Sequence, residues 1–162
     1  MIGRRPEPVV RFATAADAPG VTALVGALLM EIMAEIDEPA FRVDPAAIER
    51  RLREALAADR YRVLLAETAP GDLIGFLALL EGFALYTEGA FGLIPEFYVA
   101  PGHRGAGVGL GLLAAAVAHG RSRGWSRLEV TTPPLPAFER TLAFYEREGF
   151  SVSGGLKLKL EL

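Results

Sequence analysis

Arg104-Gly105-Ala106-Gly107-Val108-Gly109 is the stretch whose residue types and spacing point most directly to chemistry. It follows an apolar run ending in Tyr98-Val99-Ala100-Pro101 and precedes an apolar stretch of helical spacing that reaches about Arg123. It therefore reads as a glycine-rich turn between a strand and a helix. Such a turn presents successive backbone N–H groups at the positive end of a helix, an anion site suited to phosphate or pyrophosphate. Two nucleotide motifs are excluded. A Walker-type loop needs Gly-Lys-Ser/Thr, and no lysine precedes Lys157. A dinucleotide fingerprint needs Gly-x-Gly-x-x-Gly, but the third position is Leu110 or Leu112, depending on the starting glycine. Glycine costs roughly 1 kcal/mol relative to alanine inside a helix, so Gly105, Gly107 and Gly109 serve more than helix initiation.

At 162 residues, 51% of them hydrophobic, the chain is long and apolar enough to bury a core as one domain. The net charge of −3 and the scattered arginines argue against nucleic acid as a partner. There is no cysteine, hence no disulfide framework and no thiolate nucleophile. Two histidines far apart give no metal site. No apolar segment opens the chain as a signal peptide would, and none reads as long and uninterrupted enough to span a membrane. The expectation is a cytoplasmic protein with a short extension over 1–8 and one domain over 9–162.

The elements that must hold the loop follow from period and punctuation. Residues 9–13 read as a strand, and Thr14-Ala-Ala-Asp17 as a capping box before a helix. Val21, Leu24, Val25, Leu28, Leu29, Ile32 and Ile36 form that helix's buried face, and Pro39 stops it. Asp44-Pro45 starts a second helix as N-cap and N1. Residues 61–67 and 73–81 read as an antiparallel hairpin, while 82–92 is left between strand extension and loop. A fourth strand over 93–99 carries Pro95, which cannot donate to a ladder and predicts an irregularity there. A helix over 107–123 turns Leu110, Leu113, Val117 and Ala114 inward and ends at Gly124. A fifth strand over 125–132, a helix over 137–148 and a terminal hairpin of 150–153 with 156–162 complete the chain.

That order, with Arg104-x-x-Gly107-x-Gly109 after the fourth strand, resembles the coenzyme A pyrophosphate loop of the Gcn5-related N-acetyltransferases, the GNAT superfamily. Phe144-Tyr145-Glu146-Arg147-Glu148-Gly149-Phe150 resembles the family's second signature, a helix ending Tyr-x-x-x-Gly-Phe. Phe138 departs from the pattern, standing where the family often has a cofactor-contacting asparagine. The resemblance implies an α/β (α+β) acyl-CoA N-acyltransferase fold. Its sheet is twisted, mixed and mostly antiparallel, with about six or seven strands and about four helices, and strands four and five splay apart. It implies acetyl-CoA as co-substrate, no metal and, as is common in the family, a homodimer.

The implied reaction is acetyl transfer to a primary amine by direct attack in a ternary complex, with a small molecule as acceptor. A protein N-terminus or lysine, or an acyl-CoA-binding module without catalysis, are the alternatives. Tyr145 is implied as the acid or a donor to the thiolate, and Glu96 as the general base. The main chain of Phe97, Tyr98 and Val99 pairs with pantetheine, and Arg104 with the N–H groups of Gly105, Ala106, Gly107, Val108 and Gly109 holds pyrophosphate. Glu81 is a second candidate base. Glu31 and Glu35 suit a cationic amine, and Tyr86 and Phe91 an apolar wall of the acceptor site.

Overall fold

Runs rich in Val, Leu, Ile and Phe form one six-stranded sheet, seen in a computed structural model that describes residues 7–162. Of the expected extension over 1–8, residues 1–6 lie outside the described residues. The described chain divides into two compact units, one running to Thr131 and one from Thr132 to Leu162.

The first unit holds the sheet. Strands β1 (Val9–Phe12), β2 (Arg62–Glu67), β3 (Leu73–Ala84) and β4 (Gly89–Ile94) pair antiparallel in sequence order. β6 (Leu128–Val130) joins β4 in parallel, and β5 (Phe97–Val99) pairs with β3. The expected fourth strand over 93–99 is thus two strands, interrupted at Pro95-Glu96. The twelve-residue β3 serves both, pairing β5 through Gly75 to Leu77 and β4 through Leu80 to Ala84. β4 continues to β6, which does not pair with β5, so the sheet is split beyond the proline. The undecided stretch 82–92 resolves into the end of β3, a turn and β4.

Helices cover both faces. α1 (Ala18–Ile36) and α2 (Pro45–Ala57) share a core with one face, in which Ala18, Val21, Leu24 and Leu52 meet Val63, Leu65, Phe76, Ala78 and Tyr98. By strand alternation Leu64 and Leu77 point to the other face, where α3 (Val108–Arg123) lies on β1, β2 and β3. Burying a side chain such as Phe76 or Leu77 contributes roughly 1.5–3 kcal/mol. Asp44 caps α2 as expected, its carboxylate accepting from Ala47 N–H at 3.1 Å. α1 ends two residues before Pro39, where Asp37 turns left-handed and its N–H closes on the Met33 carbonyl.

Several expectations are corrected. α3 buries Val108, Leu112, Leu113, Ala116 and Gly120, whereas Leu110 and Ala114 are exposed. Leu113 is buried as expected, and Leu112 is buried in place of Leu110. Residues 15–36 are long and apolar enough to cross a membrane, contrary to the hydropathy reading, but Ala18, Val21 and Leu24 of that stretch are spent in the core. In the second unit α4 (Glu139–Arg147) forms, but the hairpin over 150–162 does not. Leu156, Leu158, Leu160 and Leu162 are 91, 87, 83 and 116% exposed. Alternation marks a face without supplying a partner strand, and a lone two-stranded hairpin is marginal in water.

One ion cluster ties the first strand to the first helix. The Arg11 guanidinium donates to both oxygens of Asp17 at 2.8 and 2.9 Å and to Glu67 at 2.9 and 3.2 Å. Asp17 also accepts from Thr14 N–H at 2.7 Å, the carboxylate half of the expected capping box. Arg11 holds Asp17 well below the usual carboxylate range and lowers Glu67 as well. Stability gained from depressed carboxylates is present above their unfolded pKa, about 4, and is lost as pH falls through the lower folded values. Arg11→Met therefore lowers the urea midpoint at neutral pH, and the gap from the parent protein closes as pH is brought from about 5 toward 2.

Candidate active site

The turn after β5 is built from a short 3-10 segment (Pro101–His103), Arg104, and then glycines in the left-handed region. Gly105 has φ of 73° and Gly107 of 82°, a conformation that strains any residue with a Cβ. The first helical bond of α3 runs from Gly111 N–H to Gly107 O at 2.9 Å. The N–H groups of Val108, Gly109 and Leu110 precede it, so they have no acceptor within the helix. A Cβ built on Gly105 or Gly107 would meet nothing within 4 Å, so the space above the turn is open. Converging donors, a positive helix end and an open approach fit a pyrophosphate.

β5 sets the second feature. Ala78 N–H donates to the Glu96 carbonyl and Ala100 N–H to the Ile74 carbonyl, so residues 96, 98 and 100 turn their main chain to β3. Phe97 and Val99 turn theirs to the opposite edge, where β6 does not reach. Gly75 permits the close pairing, since a Cβ there would sit 2.9 Å from the Tyr98 carbonyl. The expectation for Tyr98 is corrected accordingly. Its main chain is committed to β3 and its side chain to the core, whereas the main chain of Phe97 and Val99 faces away from β3.

Arg104 is corrected too. Its Nε donates to the Val99 carbonyl at 2.7 Å, and Nη1 and Nη2 grip Glu31 at 3.0 and 2.8 Å. The guanidinium also lies 5.4 Å from the Tyr98 ring centre. It ties α1 and β5 to the loop, so its donors are engaged within the protein. Glu31 in turn has both oxygens engaged and its charge matched, which removes it from the carboxylates open to a cationic amine. Glu35 stays exposed.

Glu96 sits half-buried at the strand break, and its Oε2 accepts from the Tyr61 hydroxyl at 2.5 Å. Burial pushes its carboxyl above the usual range, with the Tyr61 hydrogen bond acting the other way. Burial and the nearby Glu96 charge push the Tyr61 phenol up, so Tyr61 is a donor that keeps its proton. Tyr61 had no signal of its own in the sequence. It opens an apolar strand run, and only the β2–β3–β5 register brings it to Glu96.

Glu81 has a different environment. Trp125 Nε1 at 2.6 Å and the Arg123 guanidinium at 3.0 and 3.1 Å converge on its Oε2 and hold it below the usual range, which disqualifies it as a base. Phe91 is buried with its ring over Gly82, and Tyr86 is 75% exposed beside Arg127, so the structure does not bring these two into one wall. Among the described residues no cluster of three or more His, Asp or Glu could hold a metal ion. In the second unit Tyr145 is buried near the end of α4, with the Phe144 and Phe150 rings at 5.5 and 5.3 Å. Burial raises its phenol above the ordinary value, so it stays protonated.

Known proteins share stretches of this sequence or this fold. Streptothricin acetyltransferase of Streptomyces lavendulae is 37% identical over 95 residues, which are 57% of this chain and 46% of that protein. The chain thus matches less than half of that relative's length. An integron cassette protein from the mobile metagenome of Cole Harbour Salt Marsh superposes with a TM-score of 0.76 at 26% identity, covering 94% of this chain and 90% of its own. An aminoglycoside acetyltransferase from an uncultured soil metagenomic sample, solved in complex with trehalose, has the same fold, with a TM-score of 0.75 at 17% identity and 96% of each chain covered. The family model described as the acetyltransferase (GNAT) family matches residues 29–150, which include the loop, the split strand and Tyr145. The chain belongs to the GNAT family of acetyltransferases.

Proposed function

We propose that this protein is an acetyl-CoA-dependent N-acetyltransferase acting on a primary amine of a small molecule, with direct attack while both substrates are bound. The observation that carries the reading is the glycine turn at the start of α3, placed directly after a short strand that β6 does not pair with and that follows a half-buried carboxylate. The relative that acetylates streptothricin supports a small-molecule acceptor.

Acetyl-CoA supplies the acetyl group as an activated thioester. The N–H groups of Gly105 to Gly109 hold its pyrophosphate, and its extended arm runs along the side of β5 that faces away from β3, where Arg104 already holds the Val99 carbonyl. Glu96 takes a proton from the amine nitrogen. A carboxyl raised by burial is a better match to that task than an exposed one, because its proton affinity lies closer to working pH. Tyr145 gives a proton to the departing sulfur, a role supported by the Tyr145-x-x-x-Gly149-Phe150 signature. With no cysteine in the chain, an acetyl-cysteine intermediate is not available.

Acetyl-CoA at a hundredfold excess over its Kd stabilises the protein by about 2.7 kcal/mol in a thermal melt. Gly107→Val, which strains a left-handed position in the cradle, loses most of that gain; equal stabilisation of both proteins would remove the loop from the binding site. In a screen of small amines that reads free CoA, Glu96→Gln lowers kcat/KM by about 10²–10⁴-fold. The rate of the parent protein rises with pH through the Glu96 pKa, above the ordinary carboxylate value, and the variant loses that limb. Tyr145→Phe lowers kcat while the thermal response to acetyl-CoA persists. Binding of acetyl-CoA with no CoA release for any amine would leave a binding module in place of an enzyme.

A further inference from the structure

Among the described residues, the Tyr61 hydroxyl is the hydrogen-bond partner of the Glu96 carboxylate, although the two residues are 35 positions apart and flank β2 and β5, which do not pair with each other. Tyr61 lies at the start of β2, its ring packed against the core that contains Val63, Phe76, Ala78 and Tyr98. A ring held on the sheet has one place for its hydroxyl. At 2.5 Å the contact lies in the range of a charge-assisted O–H···O⁻ bond, roughly twice as strong as a neutral one.

We propose that Tyr61 is a positioning residue for the transfer: its hydroxyl pins Glu96 Oε2 and fixes the plane of the carboxylate, leaving Oε1 to take the amine's proton. The inference rests on the reading of Glu96 as the base. It gives β2 a part in the site, although that strand carries none of the motif residues.

The balance at Glu96 explains why a neutral donor suits this position. Burial alone favours the protonated carboxyl, which is no base, and a cation would drop it into the ordinary carboxylate range or below. A phenol that keeps its own proton lowers the carboxyl without neutralising it. Three charged groups on the neighbouring elements are engaged with other partners. Arg53 on α2 holds Glu49 and the Ala15 carbonyl, Arg62 on β2 holds Asp59, and Glu31 on α1 holds Arg104.

The test is a pH titration of the Glu96 carboxyl by ¹³C NMR in the protein without substrates, for the parent chain and Tyr61→Phe. The substitution keeps the ring and removes only the donor. Expected is a Glu96 that becomes a roughly tenfold weaker acid, since one hydrogen bond to a charged group is lost. The acid limb of kcat/KM moves up by the same factor, the high-pH plateau falls by about tenfold, and KM for acetyl-CoA is unchanged. Tyr61→Phe combined with Glu96→Gln is no slower than Glu96→Gln alone. Site-specific 3,5-difluorotyrosine at position 61, a stronger donor, moves the titration down and supports the inference even where the phenylalanine variant folds poorly. A Glu96 that titrates identically with tyrosine, phenylalanine and fluorotyrosine overturns it, as do Tyr61 and Glu96 effects that multiply. An undiminished rate in Glu96→Gln overturns the base assignment and this inference with it. A collapsed rate in Glu96→Gln beside an unmoved titration in Tyr61→Phe overturns the positioning role alone.

Discussion

A proline cannot donate a hydrogen bond, and the whole candidate site depends on where Pro95 withholds one. A continuous strand over 89–99 would keep β6 beside it to the end and close the sheet. Instead pairing stops at Ile94, resumes at Phe97, and β6 follows only the first piece. β3 tolerates the interruption because it is long enough to hold both pieces and has Gly75 where the second approaches most closely. Two consequences arise from one missing donor: an outward strand edge at Phe97 and Val99, and a half-buried carboxylate at Glu96 where the chain changes partner.

The turn that follows needs rigidity on one side and openness on the other. Gly105 and Gly107 supply the left-handed backbone that aims N–H groups away from the protein. Val108 and Leu112 anchor the helix start in the core beneath them. Arg104 fastens the remaining side by bridging Val99 and Glu31, so the loop is referenced to β5 and α1 at once. An arginine spent this way adds no direct charge to an anion site. It contributes pre-organisation, which lowers the entropy cost of binding.

Features governed by neighbours in sequence were legible before the structure. The loop glycines, the break at Pro95, the Asp44-Pro45 helix start and the order of strands and helices as far as α4 each depend on local backbone chemistry or on short periodicity, and each is found. Contacts across the fold were not legible. Arg104 is the family's loop arginine by pattern, but its partner Glu31 is 73 residues away. Tyr61 and Glu96 meet only once register is set through β3. The leucines at 156, 158, 160 and 162 mislead for the complementary reason: a period of two names a face, while strand formation also needs a partner, which the pattern does not contain. On α3 Leu113 is buried as expected, whereas Leu110 and Ala114 are exposed and the buried side is Val108, Leu112, Leu113, Ala116 and Gly120.

The same distinction between local pattern and environment decides which carboxylate suits proton transfer. Glu31, Glu67 and Glu81 are each held by an arginine; Arg11 keeps the Glu67 carboxyl below its ordinary range, and the Trp125 indole together with Arg123 does so for Glu81. A carboxylate so matched stays ionised, but it has little affinity for a proton. Glu96 has a phenol where the others have a guanidinium, and burial outweighs that one neutral hydrogen bond. Its proton affinity is raised while one oxygen stays fixed. The residue type is identical at all four positions, so the chemistry assigned to Glu96 comes from the donor beside it and from the strand break that buries it.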